Sequence, residues 1–256
     1  MSEENKNSYE RTQRNTVRRA PKRADYDVET VHRLFDQAWF CHVGFVSETG
    51  PTIIPMFHAM LDDRIILHGA TTSPLMPLLA SGAPICLSVA MVDGLVLARS
   101  LFHHSLNYRS AVAFGYGEVV TSPESRTRAF QAIAEKMMPG RWDEARQPNE
   151  QESKASLLCS VQIESASAKI RTGGPIDDKD DYQLDVWAGV VPLREQMMTP
   201  VSDLLSPREI VFPNISKSFG EIEMLMSYPE QSTNIKKGFH DRGNTQSTIL
   251  RRHLYQ

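Results

Sequence analysis

Residues 84–121 read PICLSVAMVDGLVLARSLFHHSLNYRSAVAFGYGEVVT, and the fold turns on this stretch. Pro84–Val92 is apolar apart from Ser88, which predicts a strand buried on both faces. Asp93-Gly94 is a dipeptide that tight hairpins favour, so a turn is predicted there. Arg109–Thr121 then predicts a long strand. Gly115-Tyr116-Gly117 lies inside it and lacks the third glycine of a nucleotide-binding loop, so it predicts a bulge. Between the strands, Ala98–Ser110 packs two cations, two histidines, three serines, an asparagine and a tyrosine into thirteen residues. A segment this polar between buried strands calls for a ligand or partner to satisfy it.

Further strand signals lie on both sides. Asp27–Ala38 predicts a helix, with Val28, Val31, Leu34, Phe35 and Ala38 on one face and Asp27 as its cap. Phe40–Ser47 and Thr52–Met60 predict strands joined by a turn at Glu48–Pro51, and Pro55 belongs at an edge or bulge. Asp62-Asp63 turns the chain into Arg64–His68, and Pro74–Ala80 predicts a short helix. Pro123–Met138 is amphipathic and opened by Ser122, and Gly140–Ser153 is a polar loop. Leu157–Glu164 and Ala168–Arg171 predict two more strands, Asp177–Asp181 an acidic turn, and Val186–Leu193 a last apolar piece. Short strands with turns about every ten residues point to a mainly β, α+β fold: an antiparallel barrel with flanking helices. The expected organisation is a polar, basic, solvated leader over 1–24, a barrel domain over 25–205 and a weakly structured appended tail over 206–256.

The chain has 256 residues, 28 Lys+Arg and 31 Asp+Glu, for a formal net charge of −3. No global positive field exists to displace counterions from phosphates, so nucleic acid is not an expected partner. The three cysteines, Cys41, Cys86 and Cys159, suggest neither a disulfide framework nor a zinc site. Without an apolar run of roughly 20 residues or a secretory h-region, no membrane association is expected and the location is read as cytoplasmic.

Leu67-His68-Gly69-Ala70-Thr71-Thr72-Ser73 ends a strand, frees the backbone at glycine and offers three hydroxyls before a Pro-started helix. Backbone N–H groups and hydroxyls so placed suit a phosphate cradle, though from spacing alone the simpler reading is a capped turn. His103-His104 is not a metal signature, because strand neighbours point to opposite faces, and no metal site is expected.

The runs Asp93–Ser100, His104-Ser105, Asn107–Ser110 and Phe114-Gly115 resemble the pyridoxamine 5'-phosphate oxidase-like flavin-nucleotide-binding family, whose neighbourhood includes the nitroimidazole-resistance proteins. Tyr26-Asp27, Gly44-Phe45-Val46, Pro51 with Ile54-Pro55, Leu67-His68-Gly69, Ser167–Arg171 and Trp187–Leu193 agree in order, over about Arg23 to Leu205. The resemblance implies an FMN-binding split β-barrel, a homodimer with flavin at the subunit interface, and an oxidoreductase acting on a small organic molecule. It implies that the loop after His68 holds the FMN phosphate through Ala70, Thr71, Thr72 and Ser73, with His68 and Gly69 also against the cofactor, and that Asn107, Tyr108, Arg109 and Ser110 line the pocket. Pyridoxamine phosphate oxidases carry basic residues in the phosphate loop; here Thr71–Pro74 has none, and Arg109 is the expected charge partner. His68 and Tyr108 are the expected catalytic proton donors. The alternatives are a haem-binding split barrel with His68 as axial ligand, matching a histidine of the nitroimidazole-resistance branch, and a non-catalytic flavin carrier.

Overall fold

The computed structural model describes residues 7–203; the tail expected from residue 206 onward lies outside them. Its elements are β1 (Ala24–Asp25), α1 (Val28–Gln37), β2 (Phe40–Ser47), β3 (Gly50–Leu61), β4 (Arg64–Ala70), α2 (Leu75–Ala80), β5 (Pro84–Leu97), β6 (Ser105–Val119), α3 (Pro123–Met137), α4 (Arg141–Glu144), α5 (Glu150–Ala155), β7 (Ser156–Arg171) and β8 (Gly189–Pro192). All strand pairings are antiparallel. The order β7-β4-β3-β2-β5-β6 closes on itself because β6 also pairs with β7. Closure leaves no edge inside the barrel; β1 adds to β7, and β8 adds to β5.

The interior is filled by alternate residues of the strands and by one face each of α1 and α2. Val31, Leu34 and Phe35 of α1 meet Val43, Leu67, Leu87 and Val161, with Leu75, Met76 and Leu79 of α2 in the same cluster. Each fully buried side chain of this size contributes about 1.5–3 kcal/mol. Asp27 caps α1 by accepting from Thr30 N at 2.8 Å. α3 lies outside the barrel, where Ala129 and Ile133 pack with Ala59 of β3, Ile66 of β4 and Leu158 of β7.

Four expectations need correction. Asp93-Gly94 is not a hairpin turn: β5 runs through it, with a register shift between Val92 and Gly94, and the hairpin tip is the short 3-10 turn Leu101–His103. The extra residue turns Asp93 inward, and Gly94 is needed because a Cβ there would sit 3.0 Å from Val190 Cγ1 and 3.1 Å from Val191 O of β8. The two predicted strands after Leu157 are one strand, β7, whose irregularity beside Phe114/Gly115 is absorbed without a break. The polar loop after Gly140 contains α4 and α5, the second nucleated by a capping box between Asn149 and Glu152. Finally, the basic leader is in part tied to the barrel. Asn15 is buried and donates to Ala166 O at 3.1 Å, Tyr9 N donates to Tyr26 O at 2.8 Å, and Arg14 stacks over the Phe114 ring at 4.9 Å.

Pro55 sits where β3 pairs only with β2, since β4 joins β3 from His58 onward. The sheet does have a bulge beside Gly115, but its extra residue is Glu164 of β7 rather than one of Gly115–Gly117, and a Cβ added to Gly115 would lie 2.0 Å from Gln162 O. No helix among the described residues is long and apolar enough to cross a membrane.

Candidate functional site

The expected phosphate loop lies at the end of β4. His68, Gly69 and Ala70 pair with Leu158, Leu157 and Ser156 at the start of β7. Ser73 N donates to Ala70 O at 2.9 Å and Thr71 N to Ala155 O at 3.4 Å, so the chain turns sharply into α2. Gly69 allows the helix to approach, since an added Cβ would lie 2.9 Å from Met76 Cγ. Thr71 and Thr72 are exposed and Ser73 is half-buried. His68 is half-buried, and burial lowers its pKa from the ordinary value, so the imidazole is neutral at pH 7. Its Nδ1 is buried and has no hydrogen-bond partner among the described residues. A neutral imidazole with an uncommitted nitrogen is suited to ligating a metal.

The second cluster lies on β6, and strand alternation splits it. Asn107 and Arg109 are held by partners within the chain. Asn107 is buried, donates to Gly173 O at 3.1 Å and accepts from Arg171 Nη1. Arg109 donates Nε to Asp93 Oδ2 at 3.0 Å, Nη2 to Asp93 Oδ1 at 2.7 Å, and Nη1 to Gln37 at the end of α1. The cation expected to meet a phosphate therefore has a carboxylate partner in its own chain. Tyr108 and Ser110 alternate with them; Tyr108 lies opposite Val92 and Arg171, and Ser110 Oγ donates to Lys169 O at 3.1 Å.

Along β7 the two clusters lie far apart. Ala70 faces Ser156 and Tyr108 faces Arg171, which are opposite ends of β7 fifteen positions apart. At about 3.3 Å per residue that is roughly 50 Å of strand contour.

Sequence reasoning missed three participants. Asp93 and Gln37 hold Arg109; in the sequence Asp93 reads only as a turn residue and part of a family-like run, and Gln37 is not singled out. Arg171 is buried beside Asn107; in the sequence it is only the end of the family-like run Ser167–Arg171, with no role assigned. The fold also brings His103 Nε2 to 3.2 Å from Asp178 Oδ2, with a donor atom of each of these and of Asp181 within 4.8 Å of one another. That juxtaposition of segments some 75 residues apart could not be read from the His103-His104 pair.

The outer faces of β2 and β3 are apolar where a solvated strand face would be polar. Phe40, His42, Gly44 and Val46 pair with Phe57, Pro55, Ile53 and Pro51. Val46 is 75% and Ile53 68% exposed, so this face is uncovered in the single chain.

A family model described as pyridoxamine 5'-phosphate oxidase matches residues 27–170. Among solved structures, the flavocytochrome Anf3 from Azotobacter vinelandii is 33% identical with a TM-score of 0.74, over 79% of this chain and 94% of that one. The FAD and haem binding protein from Mycobacterium smegmatis is 31% identical with a TM-score of 0.72, over 77% of this chain and 96% of that one. None of the curated proteins matches. The closed antiparallel barrel, the family match over more than half the sequence and two likenesses spanning nearly the whole of each relative converge: the chain belongs to the pyridoxamine 5'-phosphate oxidase family of split β-barrels.

Proposed function

We propose that this protein is a redox protein that binds a flavin nucleotide together with haem, and that its site is completed by a second copy of the chain. The likeness to a flavocytochrome and to an FAD and haem binding protein, at 33% and 31% identity, carries the cofactor reading. The residues fit it. His68 offers a neutral, half-buried imidazole suited to haem iron, and Thr71, Thr72 and Ser73 offer hydroxyls and a tight turn suited to a polar headgroup. Bound flavin supplies one- and two-electron transfer and bound haem one-electron chemistry. The chain's own part is to position both and, by burying His68, to favour its neutral imidazole.

The register along β7 supports the reading of two copies, because the β4 loop and Tyr108 pair with opposite ends of that strand. A second copy related by a two-fold axis supplies the missing half and covers the apolar face of Phe40, Val46 and Ile53. Haem joins the flavin here rather than replacing FMN, because one relative carries both by description.

The visible spectrum of the purified protein tests the cofactor reading. Flavin absorbs at about 450 nm and haem gives a Soret band at about 400 nm. Protein that shows neither band, and gains neither when apo protein is mixed with FAD, FMN or haem, overturns it.

A further inference from the structure

We propose that Arg171 and Arg23 form an oxyanion clamp that takes a phosphate or carboxylate group of the bound cofactor, a role expected of Arg109 from the sequence. This rests on the cofactor reading above and adds the subsite that recognises the ligand's charged end.

Arg171 is the last residue of β7 and only 7% exposed. Its guanidinium donates to Asn107 Oδ1, to Gly173 O at 3.2 Å and to Gly174 O at 3.1 Å, all neutral acceptors. Its Nε is buried with no partner among the described residues. No ion pair among the described residues includes Arg171, Arg23 or Lys169. Instead a second cation sits close by. β1 pairs Ala24 with Lys169, which puts Arg23 beside the end of β7, while Tyr108 faces Arg171 from β6 on the other side. Burial first, and Arg23 second, lower the Arg171 pKa, although a guanidinium stays charged at any ordinary pH.

A buried cation with a like charge beside it and no carboxylate carries a desolvation cost that its neutral hydrogen bonds do not offset. Such a centre is stabilised by an incoming anion. The segment beside Arg171 is open to solvent, because Gly173 and Gly174 are exposed and a Cβ built on either would meet nothing within 4 Å. Arg109 does not share this feature, since Asp93 accepts two of its hydrogen bonds. The recognised chemistry is an oxyanion on a planar cofactor. Its sources are the phosphate of a flavin nucleotide and the propionates of haem.

The test uses the full-length apo protein and the variants Arg23→Gln and Arg171→Lys. Arg23 is half-exposed and its guanidinium makes no hydrogen bond among the described residues, so its variant remains informative if Arg171→Lys fails to fold. FMN, FAD and riboflavin are titrated by flavin fluorescence, and haem and its dimethyl ester by the Soret band. A charge-assisted contact predicts a loss of about tenfold or more for the charged member of one pair and little change for its neutral counterpart. Loss confined to FMN and FAD assigns the clamp to phosphate, and loss confined to haem assigns it to propionate. Equal affinities of wild type and variants for every ligand overturn the clamp, as does an equal loss for charged and neutral members. If wild type binds no cofactor, the cofactor reading fails on its own. The clamp is then judged by thermal shift with inorganic pyrophosphate, which must stabilise wild type more than Arg23→Gln; equal or absent stabilisation rejects it.

Discussion

Asp93 and Arg109 meet across the irregular step in β5, the carboxylate accepting from Nε at 3.0 Å and from Nη2 at 2.7 Å. The step gives β5 one residue more than its partner β6 over this stretch, and the pair uses that residue to lock the hairpin to the end of α1 through Gln37. Asp93 is only 9% exposed at its side chain and Arg109 20%, so solvent screens the pair weakly. Asp93→Ala leaves a partly buried guanidinium without its carboxylate and is expected to cost about 2 kcal/mol in chemical denaturation. It should not discriminate FMN from riboflavin. Unchanged stability would show that the pair contributes nothing net.

Gly115 and Gly69 give a graded test of the packing. A Cβ at Gly115 would lie 2.0 Å from the backbone oxygen of Gln162, and backbone cannot yield. Gly115→Ala is expected to lose about 3 kcal/mol or fail to fold. The same change at Gly69 meets Met76 Cγ at 2.9 Å, a side chain that can shift where backbone cannot but is itself fully buried, and should cost less, about 1–2 kcal/mol. Equal losses in thermal or urea unfolding would contradict the close approach at one of the two.

How much of this was legible beforehand depends on the scale of the signal. Asp27 as cap, the α1 face of Val31, Leu34 and Phe35, and Pro55 at a singly paired position follow from local chemistry, and each is found. The Asp93-Gly94 misreading has a physical cause. The dipeptide's tolerance for unusual backbone suits a bulge as well as a turn, and what decides is β8, which lies nearly 100 residues later in sequence and packs on Gly94. The same limit applies to the site. Asn107, Tyr108, Arg109 and Ser110 read as one cluster in sequence, but alternation sends Arg109 to Asp93 and leaves Tyr108 facing Arg171.

His58 makes stability depend on pH. It is fully buried, its Nε2 lies 2.7 Å from Phe35 O, and Lys136 stands 3.3 Å away while donating to Phe35 O and Ala38 O at the end of α1. Burial, reinforced by the Lys136 charge, lowers the His58 pKa from 6.5 to about 4. The unfolded chain then binds the proton that the folded chain refuses, so stability is full above pH 6.5 and falls as pH drops from 6.5 towards 4. The loss over that window is about 3 kcal/mol. His58→Gln should flatten this part of the profile in urea titrations at pH 7, 6, 5 and about 4.5. A wild-type profile already flat there would mean that the imidazole is protonated in the fold.

His68 separates the two cofactors. Replacement by Ala removes the imidazole offered to haem iron but no cation and no hydroxyl of the Thr71–Ser73 turn. The Soret band should shift or vanish while flavin binds within about tenfold of wild type, since a neutral contact is worth about 0.5–1.5 kcal/mol at most. An unchanged haem spectrum would move the ligand to another residue, His103 and His104 first.

The shared site makes a prediction about mixed dimers. Thr71→Ala with Thr72→Ala in one chain damages the loop at the end of β4, and Tyr108→Ala in another damages the far end of β6. Each variant alone is expected to lose flavin affinity about tenfold or more at both sites. Now co-express the two with different tags and purify the mixed dimer. If each site takes its loop from one copy and its tyrosine from the other, one site collects both lesions and the other collects none. Half of the sites should then titrate with wild-type affinity. If each site lies within one chain, every site in the mixed dimer carries one lesion and none recovers. Ile53→Asp supplies the control, because a charge on the exposed apolar face of β3 should prevent dimerisation in light scattering and abolish the recovery. A monomeric Ile53→Asp protein that still binds flavin as tightly as wild type would place the site within a single copy.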